Sequence, residues 1–284
     1  MKATTRLREL IRNGTVAMPG AFNGMSARLV EQAGFDAVYI SGAGLANATA
    51  GVPDIGLLSL EEVARLGGYI AQAVQIPALI DADTGFGAGL SNVARAVREL
   101  ERVGLAGMHL EDQEFPKRCG HLAGKSVVPL SEMVEKIQSA VAARTDRDFL
   151  ILARTDSRAV EGFDGAVLRA QTYLEAGADG IFPEALESPD EFARFAKEVN
   201  APLLANMTEF GKGQLLSVRQ LADMGYRMVI FPQTVFRVAN RAMAECLRDL
   251  KAKGTQTNWL DRMQTRSELY EILGYDPNAT RWPG

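Results

Sequence analysis

The sequence is short of cysteine and histidine, with two of each among 284 residues. The two cysteines, Cys119 and Cys246, lie in dissimilar surroundings and do not make a disulfide framework, which indicates a reducing compartment such as the cytoplasm. No run of about 18 apolar residues is present, so no membrane-spanning helix is predicted. The chain also lacks a basic block and has a net charge of −4, which argues against a nucleic-acid-binding protein. An anionic substrate would therefore need a site built from a few local Lys and Arg side chains.

What the sequence does contain is the composition of an ordinary globular protein, with 47% hydrophobic and 23% charged residues. Its first segment, MKATTRLRELIRNG, carries Leu7, Leu10 and Ile11 at helical spacing. A targeting peptide would have an apolar core, which this segment lacks. A short amphipathic N-terminal helix is therefore predicted.

Short apolar runs alternate along the chain with longer amphipathic stretches. Continuous apolar runs of this length indicate strands that are buried on both faces of a parallel sheet. Eight strand–helix units predict an α/β fold, a (β/α)₈ barrel of the TIM type, with an open doubly wound sheet as the alternative. We predict one domain over residues 1–284, with a long helix from Val235 to about Lys253 and a C-terminal helical extension over residues 255–284. The eight runs are VAMPG from Val16, AVYISG from Ala37, ALIDAD from Ala78, GMHLED from Gly107, FLILARTD from Phe149, GIFPEA from Gly180, PLLANM from Pro202 and MVIFPQ from Met228.

Polar side chains follow seven of these eight runs. In a barrel, the ends of all the strands meet at the C-terminal mouth, where such enzymes keep their active sites. Several of these side chains adjoin apolar runs and should be partly desolvated, which solubility alone does not explain. They are Tyr39 and Ser41, Asp81 and Asp83, Glu111 and Asp112, Arg154 and Asp156, Glu184, Asn206 and Thr208, and Gln233 with Arg237.

The segment DADTGFG points to a metal ion. Asp81 and Asp83 are two residues apart on one strand and so project to the same side, where their charges repel unless a cation lies between them. Together with Glu111 from the next strand they suit Mg²⁺, a hard ion that takes one or two carboxylates and keeps waters for a substrate to displace. A salt-bridged or capping Asp pair is the structural alternative.

The segment EDQEFPKRCGHLAGK places Cys119 among Lys117, Arg118 and His121. Adjacent cations stabilise a thiolate, so Cys119 is predicted to be a catalytic proton donor. Zinc binding through Cys119 and His121 is the alternative, but it lacks further thiols or histidines. Cys246, on a helix among apolar neighbours, is predicted to be buried and inert.

Further side chains are assigned from their position in the chain. His109, in the middle of a strand, is predicted to be a satisfied core residue. Arg154, Arg237 and Arg266 could each bind a carboxylate in a bidentate manner.

Several motifs together resemble the isocitrate lyase/phosphoenolpyruvate mutase superfamily. KRCGH following EDQ, and DADTGFG before it, carry the resemblance most strongly. Seven further motifs also occur in family order and extend the resemblance over nearly the whole chain. They are SGAG, VPDIG, ARTD, FPEA, NMTEFG, VFRVANRA and MQTRSELYE. Within the superfamily, NMTEFG with MQTRSELYE is most similar to the 2-methylisocitrate lyases.

The resemblance implies a Mg²⁺-dependent carbon–carbon lyase, with Mn²⁺ as a possible substitute, that splits 2-methylisocitrate into pyruvate and succinate by a retro-Claisen-type step. It implies a homotetramer in which the C-terminal helix packs on a neighbouring subunit. Tyr39 is the candidate base for the substrate hydroxyl, and Cys119, beside Lys117 and His121, would protonate the succinate half. The implied binding residues are Ser41, Gly42 and Ala43 for the keto acid; Asp81 and Asp83 for the metal, with Asp54 and Glu111 in its shell; Gly120 beside the leaving carboxylate; and Arg154, Glu184, Asn206, Met207, Thr208, Arg237 and Arg266 around the substrate.

Two departures keep other readings open. HLAGK after KRCGH also resembles carboxyphosphonoenolpyruvate mutase and lyases of 2,3-dimethylmalate or oxaloacetate, and Ala43 in SGAG replaces a common glycine. A phosphonomutase would bind its substrate on the same magnesium platform without an essential thiol acid. A catalytically silent barrel would show losses at the mouth, and none is found at the matched positions.

Overall fold

The computed structural model describes residues 1–118, 120 and 124–278. Eight parallel strands lie side by side in the order β6-β5-β4-β3-β2-β1-β8-β7. β1 pairs with both β2 and β8, and a parallel bridge between Ile181 and Leu203 joins β6 to β7, so the sheet closes on itself. The strands are β1 (Val16–Ala21), β2 (Val38–Ile40), β3 (Ala78–Asp81), β4 (Gly107–Glu111), β5 (Leu150–Thr155), β6 (Gly180–Pro183), β7 (Leu204–Asn206) and β8 (Met228–Phe231).

Helices between the strands cover the outer face of the barrel. Several begin at a polar cap, as at Ser59, whose hydroxyl accepts from the Glu62 amide while the Glu62 carboxylate accepts from the Ser59 amide. The helices are α1 (Ala3–Asn13), α2 (Gly24–Gln32), α3 (Gly42–Leu45), α4 (Leu60–Ala73), α5 (Leu90–Arg102), α6 (Leu130–Ala143), α7 (Arg158–Glu175), α8 (Pro189–Glu198), α9 (Val218–Asp223), α10 (Thr234–Lys253) and α11 (Arg266–Leu273), with a π-helical turn at Ala46–Ala50 and a 3₁₀ turn at Thr257–Arg262.

Two apolar cores hold the strands from either side. The larger core lies between the sheet and its helices, and the smaller one fills the barrel interior with side chains such as Met18, Leu152 and Met228. Leu7 and Ile11 of α1 belong to the interior core, so this helix packs on the N-terminal end of the barrel. Every residue of β5 is buried. This burial on both faces is the physical reason why its first four residues, Leu150–Ala153, are all apolar.

The predicted barrel is confirmed, and the open doubly wound sheet is excluded because the bridge between Ile181 and Leu203 joins the two ends of the strand order. The N-terminal helix and the long helix, observed at Thr234–Lys253, also match expectation. A C-terminal helical extension is present, whereas its exchange between subunits and the single-domain assignment stay predictions. In the described part of the chain, no helix is long and apolar enough to cross a membrane.

The environment of Cys246 differs from the prediction. This residue is half-buried rather than buried, because no residue of α10 is buried in the single chain. Val238, Met243 and Leu247 of the same helix are more than half exposed, at 66%, 53% and 64%.

Candidate active site

A cavity of about 350 Å³ lies at the C-terminal ends of the strands. We call it the mouth cavity. Asn47, Gln233 and Phe236 contribute to its wall, together with most of the residues expected from the sequence. The expected residues that line it are Tyr39, Ser41, Ala43, Asp54, Asp81, Gly120, Arg154, Glu184, Asn206, Thr208 and Arg237.

The two aspartates of DADTGFG converge beside Gly42. A Cβ added to Gly42 would lie 3.2 Å from Asp81 Oδ2 and 3.3 Å from Asp83 Oδ1, so both carboxylates face the same point. The Gly42 amide donates to Asp81 Oδ2 at 3.4 Å. Asp83 itself adopts a positive φ of 46°, a conformation that is uncommon for a residue other than glycine. A larger residue at position 42 would occupy the space that the two carboxylates share.

Lys117 supplies the positive charge of this acidic group. Its Nζ lies 2.5 Å from Asp54 Oδ1 and 2.5 Å from Asp83 Oδ1, and its side chain is almost fully buried. Burial alone would lower the pKa of Lys117, but Asp83, Glu111 and Asp81 raise it, so the ammonium stays charged. One cation thus faces several carboxylates.

Burial and charge separate the protonation behaviour of the carboxylates. Burial alone would raise the pKa of Asp81, yet His109, Lys117 and Arg154 lower it to about 2. Burial raises the pKa of Asp83 to about 6, with Lys117 opposing the shift. Burial also raises the pKa of Glu111, whose two carboxylate oxygens have no hydrogen-bond partner. An added cation would relieve this excess of buried negative charge.

The donor set fits a hard divalent cation that keeps part of its water shell. Both Glu111 oxygens are buried without a hydrogen-bond partner, and Asp83 Oδ1 has only its ion pair with Lys117, so acceptors are available there. Within the described ranges, no group of three or more His, Cys, Asp or Glu side chains is placed to hold a metal ion by itself. One or two carboxylates plus water and substrate oxygens are a typical coordination shell for Mg²⁺.

Tyr39 and His109 form a buried pair in the wall of the cavity. The Tyr39 hydroxyl lies 2.7 Å from His109 Nε2, and His109 Nδ1 lies 3.7 Å from Asp81 Oδ1. Burial lowers the pKa of His109 to about 4, so its ring is neutral near pH 7 and Nε2 can accept from Tyr39. Burial also raises the pKa of Tyr39, which keeps its proton. His109 is therefore buried as predicted, but its Nδ1 has no hydrogen-bond partner and the ring belongs to the site.

Hydrogen bonds to Asp156 fix the orientation of the Arg154 guanidinium. Its Nε and Nη2 donate to Asp156 Oδ2 and Oδ1 at 2.9 and 3.2 Å. Glu111 Oε2 lies 3.4 Å away and Glu184 Oε2 3.9 Å away, while Phe182 packs against the guanidinium at 5.1 Å. The guanidinium is consequently held at one orientation in the cavity wall.

A second cation shares the same carboxylate. Lys125 Nζ donates to Asp156 Oδ1 at 2.7 Å and also to the Gly120 carbonyl, which ties the backbone of the KRCGH segment to the barrel. A Cβ on Gly120 would lie 2.6 Å from Glu184 Cγ and would also overlap Arg154. Only glycine fits so close an approach at this position.

Asp112 stabilises the backbone at Asp156 through buried hydrogen bonds. Its Oδ1 accepts from the Asp156 amide at 2.8 Å, and its Oδ2 accepts from Thr155 Oγ1 and from the Tyr173 hydroxyl, both at 2.8 Å. All four residues are fully buried. The network fixes the end of β5, from which Arg154 and Asp156 project.

Arg237 lies on the opposite rim and is more exposed. Its Nη1 donates to the Glu209 carbonyl at 2.9 Å, and its guanidinium lies 5.3 Å from the Phe210 ring centre. Thr234 Oγ1 donates to Glu209 Oε1. The NMTEFG segment therefore positions Arg237 at the entrance.

Some expected site residues lie elsewhere or outside the described residues. Met207 is buried beside the cavity rather than in its wall, because neighbouring residues of an extended segment face opposite ways. Its Sδ accepts from the Leu216 amide at 3.2 Å. Arg266 is exposed at the start of α11, a helix that contacts α2. Cys119 and His121 lie outside the described residues.

Several site residues were not assigned a role from the sequence. Lys125 and Asp156 interact across 31 positions of the chain, so no local pattern reports their contact. The partner of His109, Tyr39, is likewise 70 positions away. Gln233 follows a strand, so the rule that strand ends carry the site placed it at the mouth but gave it no role.

The cavity and its charges define a (β/α)₈ barrel enzyme that handles a small, oxygen-rich acid at the C-terminal mouth. A family model described as phosphoenolpyruvate phosphomutase matches residues 7–251. The 2-methylisocitrate lyase of Aeropyrum pernix is 53% identical over 270 residues, which cover 95% of this chain and 86% of that protein.

Two solved structures extend the match. A 2,3-dimethylmalate lyase, described as a member of the PEP mutase/isocitrate lyase superfamily, is similar with a TM-score of 0.91 and 36% identity over 96% of this chain and 92% of that one. A phosphonopyruvate hydrolase in complex with oxalate and Mg²⁺ gives a TM-score of 0.87 and 32% identity over 96% and 95% of the two chains. The protein belongs to the phosphoenolpyruvate mutase/isocitrate lyase superfamily, whose members are generally dependent on a divalent metal.

We expect Lys125→Met to lower the free energy of unfolding by about 2 kcal/mol, because Asp156 loses a cationic partner and the Gly120 carbonyl loses its donor. Lys136→Met is the matched control: the two lysines are 8% and 7% exposed, but the Glu132 partner of Lys136 has a side chain 48% exposed. That control should change stability by about 0.5 kcal/mol. Urea unfolding measures both, and equal losses would contradict the role given to Lys125.

Proposed function

We propose that this protein is a Mg²⁺-dependent carbon–carbon lyase that cleaves 2-methylisocitrate to pyruvate and succinate. Its similarity to the Aeropyrum pernix 2-methylisocitrate lyase, at 53% identity, supports this substrate over 2,3-dimethylmalate, whose lyase is 36% identical. The scarcity of cysteine supports the cytoplasm as its compartment.

The observation that carries the proposal is the pairing of two opposite chemistries in one cavity. Asp81 and Asp83 converge at one wall, and Arg154 is fixed by Asp156 at another. A tricarboxylate with a hydroxyl group needs both: a cation site for its oxygen atoms and an arginine for a remaining carboxylate.

Asp81 and Asp83 would hold the metal ion, with Asp54 and Glu111 in its outer shell. When bound, Mg²⁺, or Mn²⁺ in its place, lowers the pKa of the substrate hydroxyl and stabilises the oxygen that becomes the keto group. The two Glu111 oxygens support this assignment, because buried carboxylate oxygens without hydrogen-bond partners are costly unless a ligand satisfies them.

Tyr39 and His109 would receive the hydroxyl proton. The Tyr39 oxygen takes that proton while its own proton passes to His109 Nε2, 2.7 Å away. The bond between the two substrate halves then breaks, and its electron pair stays on the carbon of the succinate half. This route needs no free tyrosinate, which the raised pKa of Tyr39 would disfavour.

The succinate half would be neutralised and protonated on the other side. Arg154 binds a carboxylate, and Asn206 and Thr208 line the cavity for further hydrogen bonds. Cys119 donates the proton that completes succinate, with Lys117 and His121 beside it in the sequence. The hydroxyl proton lost and the carbon proton gained balance the reaction.

We expect rapid pyruvate release from 2-methylisocitrate in the presence of Mg²⁺, abolished by EDTA. Cys119→Ala should lower kcat by at least about 100-fold, because it removes the proton donor. Cys246→Ala is the matched control, because it changes the second cysteine of the chain, which lies on α10. This variant should keep wild-type activity. Consumption of isocitrate, 2,3-dimethylmalate, oxaloacetate and phosphonopyruvate is followed in parallel by NMR, because isocitrate would release glyoxylate rather than pyruvate. A faster reaction with any of these acids would overturn the substrate assignment.

Replacing Tyr39 tests the proton route separately from the fold. We expect Tyr39→Phe to lower kcat by about 100-fold or more with a small change in KM, because the acceptor of the hydroxyl proton is lost. Tyr226→Phe removes another fully buried hydroxyl, which donates to the Phe192 carbonyl away from the cavity, and is the control. A Tyr39→Phe enzyme with near-normal kcat would exclude Tyr39 as the proton acceptor.

We also propose that the protein assembles as a homotetramer through α10 and the segment after it. In the single chain α10 has no buried residue, and Met243, Leu247 and Leu250 recur at helical spacing with exposures of 53%, 64% and 39%. Such an apolar face is costly in water and suits a second copy of the same chain, whose α10 offers the same surface.

Light scattering should give about four times the 30.7 kDa chain mass. Leu247→Glu should reduce that mass, because it places a charge in the apolar contact. Leu168→Glu, on α7, is the control with a similar exposure of 58%. A monomeric wild-type protein would refute the assembly.

A further inference from the structure

Gln233 has a side chain whose location is not explained by the protein's own contacts. The residue is 6% exposed and lines the mouth cavity, yet neither Oε1 nor Nε2 has a hydrogen-bond partner among the described residues. A buried amide without partners costs about 1–3 kcal/mol. Such a group in a native protein calls for a ligand or another compensating role.

A helix-capping role does not account for this side chain. Gln233 occupies the N-cap position of α10, where a side chain can accept from the first free amides of the helix. Its side chain makes no such bond, and its backbone carbonyl already accepts from the Arg237 amide at 2.9 Å. The side chain is therefore available to the cavity.

Most of the other buried atoms without hydrogen-bond partners lie near a charged group. Asp83 Oδ1 faces Lys117, the Glu111 carboxylate lies 3.4 Å from Arg154, His109 Nδ1 lies 3.7 Å from Asp81, and Glu209 Oε2 lies 3.8 Å from Arg237. Asn206 Oδ1 is also without a partner, but the same amide donates from Nδ2 to Glu184. Gln233 differs because both polar atoms of its amide lack a hydrogen-bond partner among the described residues.

The Gln233 amide lies at the end of the cavity formed by the Ser41–Gly44 turn. A Cβ added to Gly44 would lie 4.0 Å from Gln233 Nε2 and 3.4 Å from Ser41 Cβ, which places the amide beside the Ser41–Gly44 turn. One helical turn further on, Phe236 packs edge-to-face on Phe22 with ring centres 5.2 Å apart. The start of α10 is thereby held against β1, and the amide stays at this end.

We propose that the Gln233 amide hydrogen-bonds to an oxygen of the keto-acid half of the substrate and so helps to determine which acid the enzyme accepts. The inference rests on the proposed function, because the family resemblance assigns Ser41, Gly42 and Ala43 to the keto acid that this function would produce. A neutral amide there adds a directed hydrogen bond without adding charge beside the metal position. Acids that lack an oxygen at this place leave the amide unpaired and are rejected.

The test separates ligand binding from structural support. Gln233→Leu removes an unsatisfied amide, so the melting temperature of the free enzyme should stay unchanged or rise. Gln113→Leu is the matched control: Gln113 is 1% exposed, its Nε2 donates to the Arg118 carbonyl at 2.9 Å, and its Oε1 accepts from the Arg118 amide at 3.0 Å. That control should lower the melting temperature.

Calorimetric titration with Mg²⁺ present then gives the Kd of pyruvate and of succinate separately. For Gln233→Leu the Kd of pyruvate should rise about tenfold, and the Kd of succinate should stay within about twofold. An unchanged pyruvate Kd overturns the inference, and so does an equal loss for both products. If the wild-type enzyme does not cleave 2-methylisocitrate, the proposed function fails, while the pyruvate titration still decides the role of Gln233.

Discussion

Asp156 accepts hydrogen bonds from Arg154 and Lys125 while being fully buried, and the geometry of the mouth depends on this shared carboxylate. Through Arg154 it orients the guanidinium that faces the cavity. Through Lys125 it holds the Gly120 carbonyl, and with it the backbone that follows Cys119. A buried carboxylate is strongly destabilising when it loses a cationic partner. The positions of Arg154 and of the Gly120 backbone are therefore coupled through Asp156. The Asp112 network beneath it fixes the end of β5 for the same purpose.

The mouth holds more buried carboxylates than cations, although the proposed substrate is itself an anion. Asp54, Asp81, Asp83 and Glu111 face Lys117, while Arg154 is already bound to Asp156. An acid would be repelled from such a cavity unless a metal ion reduced the negative charge beforehand. Burial raises the pKa values of Asp83 and Glu111 in this crowded site, while His109, Lys117 and Arg154 together lower that of Asp81. The site is therefore matched to a metal and a polyanion together.

The barrel could be predicted from the sequence because strands buried on both faces carry runs of apolar residues, as Leu150–Ala153 of β5 do. The cavity lining could be predicted because strand ends converge, which brought Asp81, Arg154 and Glu184 together. Contacts between distant positions could not be predicted, so the Lys125–Asp156 pair and the Tyr39–His109 pair were missed. The inward or outward orientation of a side chain just after a strand, as at Met207, also depends on backbone geometry that residue types do not specify. The half-burial of Cys246 was missed because apolar residues on α10 do not by themselves show that the helix stays exposed in the single chain.

The interior of the barrel is filled by side chains such as Met18 and Leu152, and α1 packs on its N-terminal end. The mouth cavity consequently has a solid floor, and whatever reacts there arrives and departs on the same side. Two products formed from one substrate must then leave in sequence, and the one nearer the rim must leave first. Gly120 packs closely on Arg154 and Glu184, whereas the Ser41–Gly44 turn lies beside Asp81. The depth at which each proposed product is held below the entrance therefore sets the order of their release, and with it the pattern of product inhibition in the steady state.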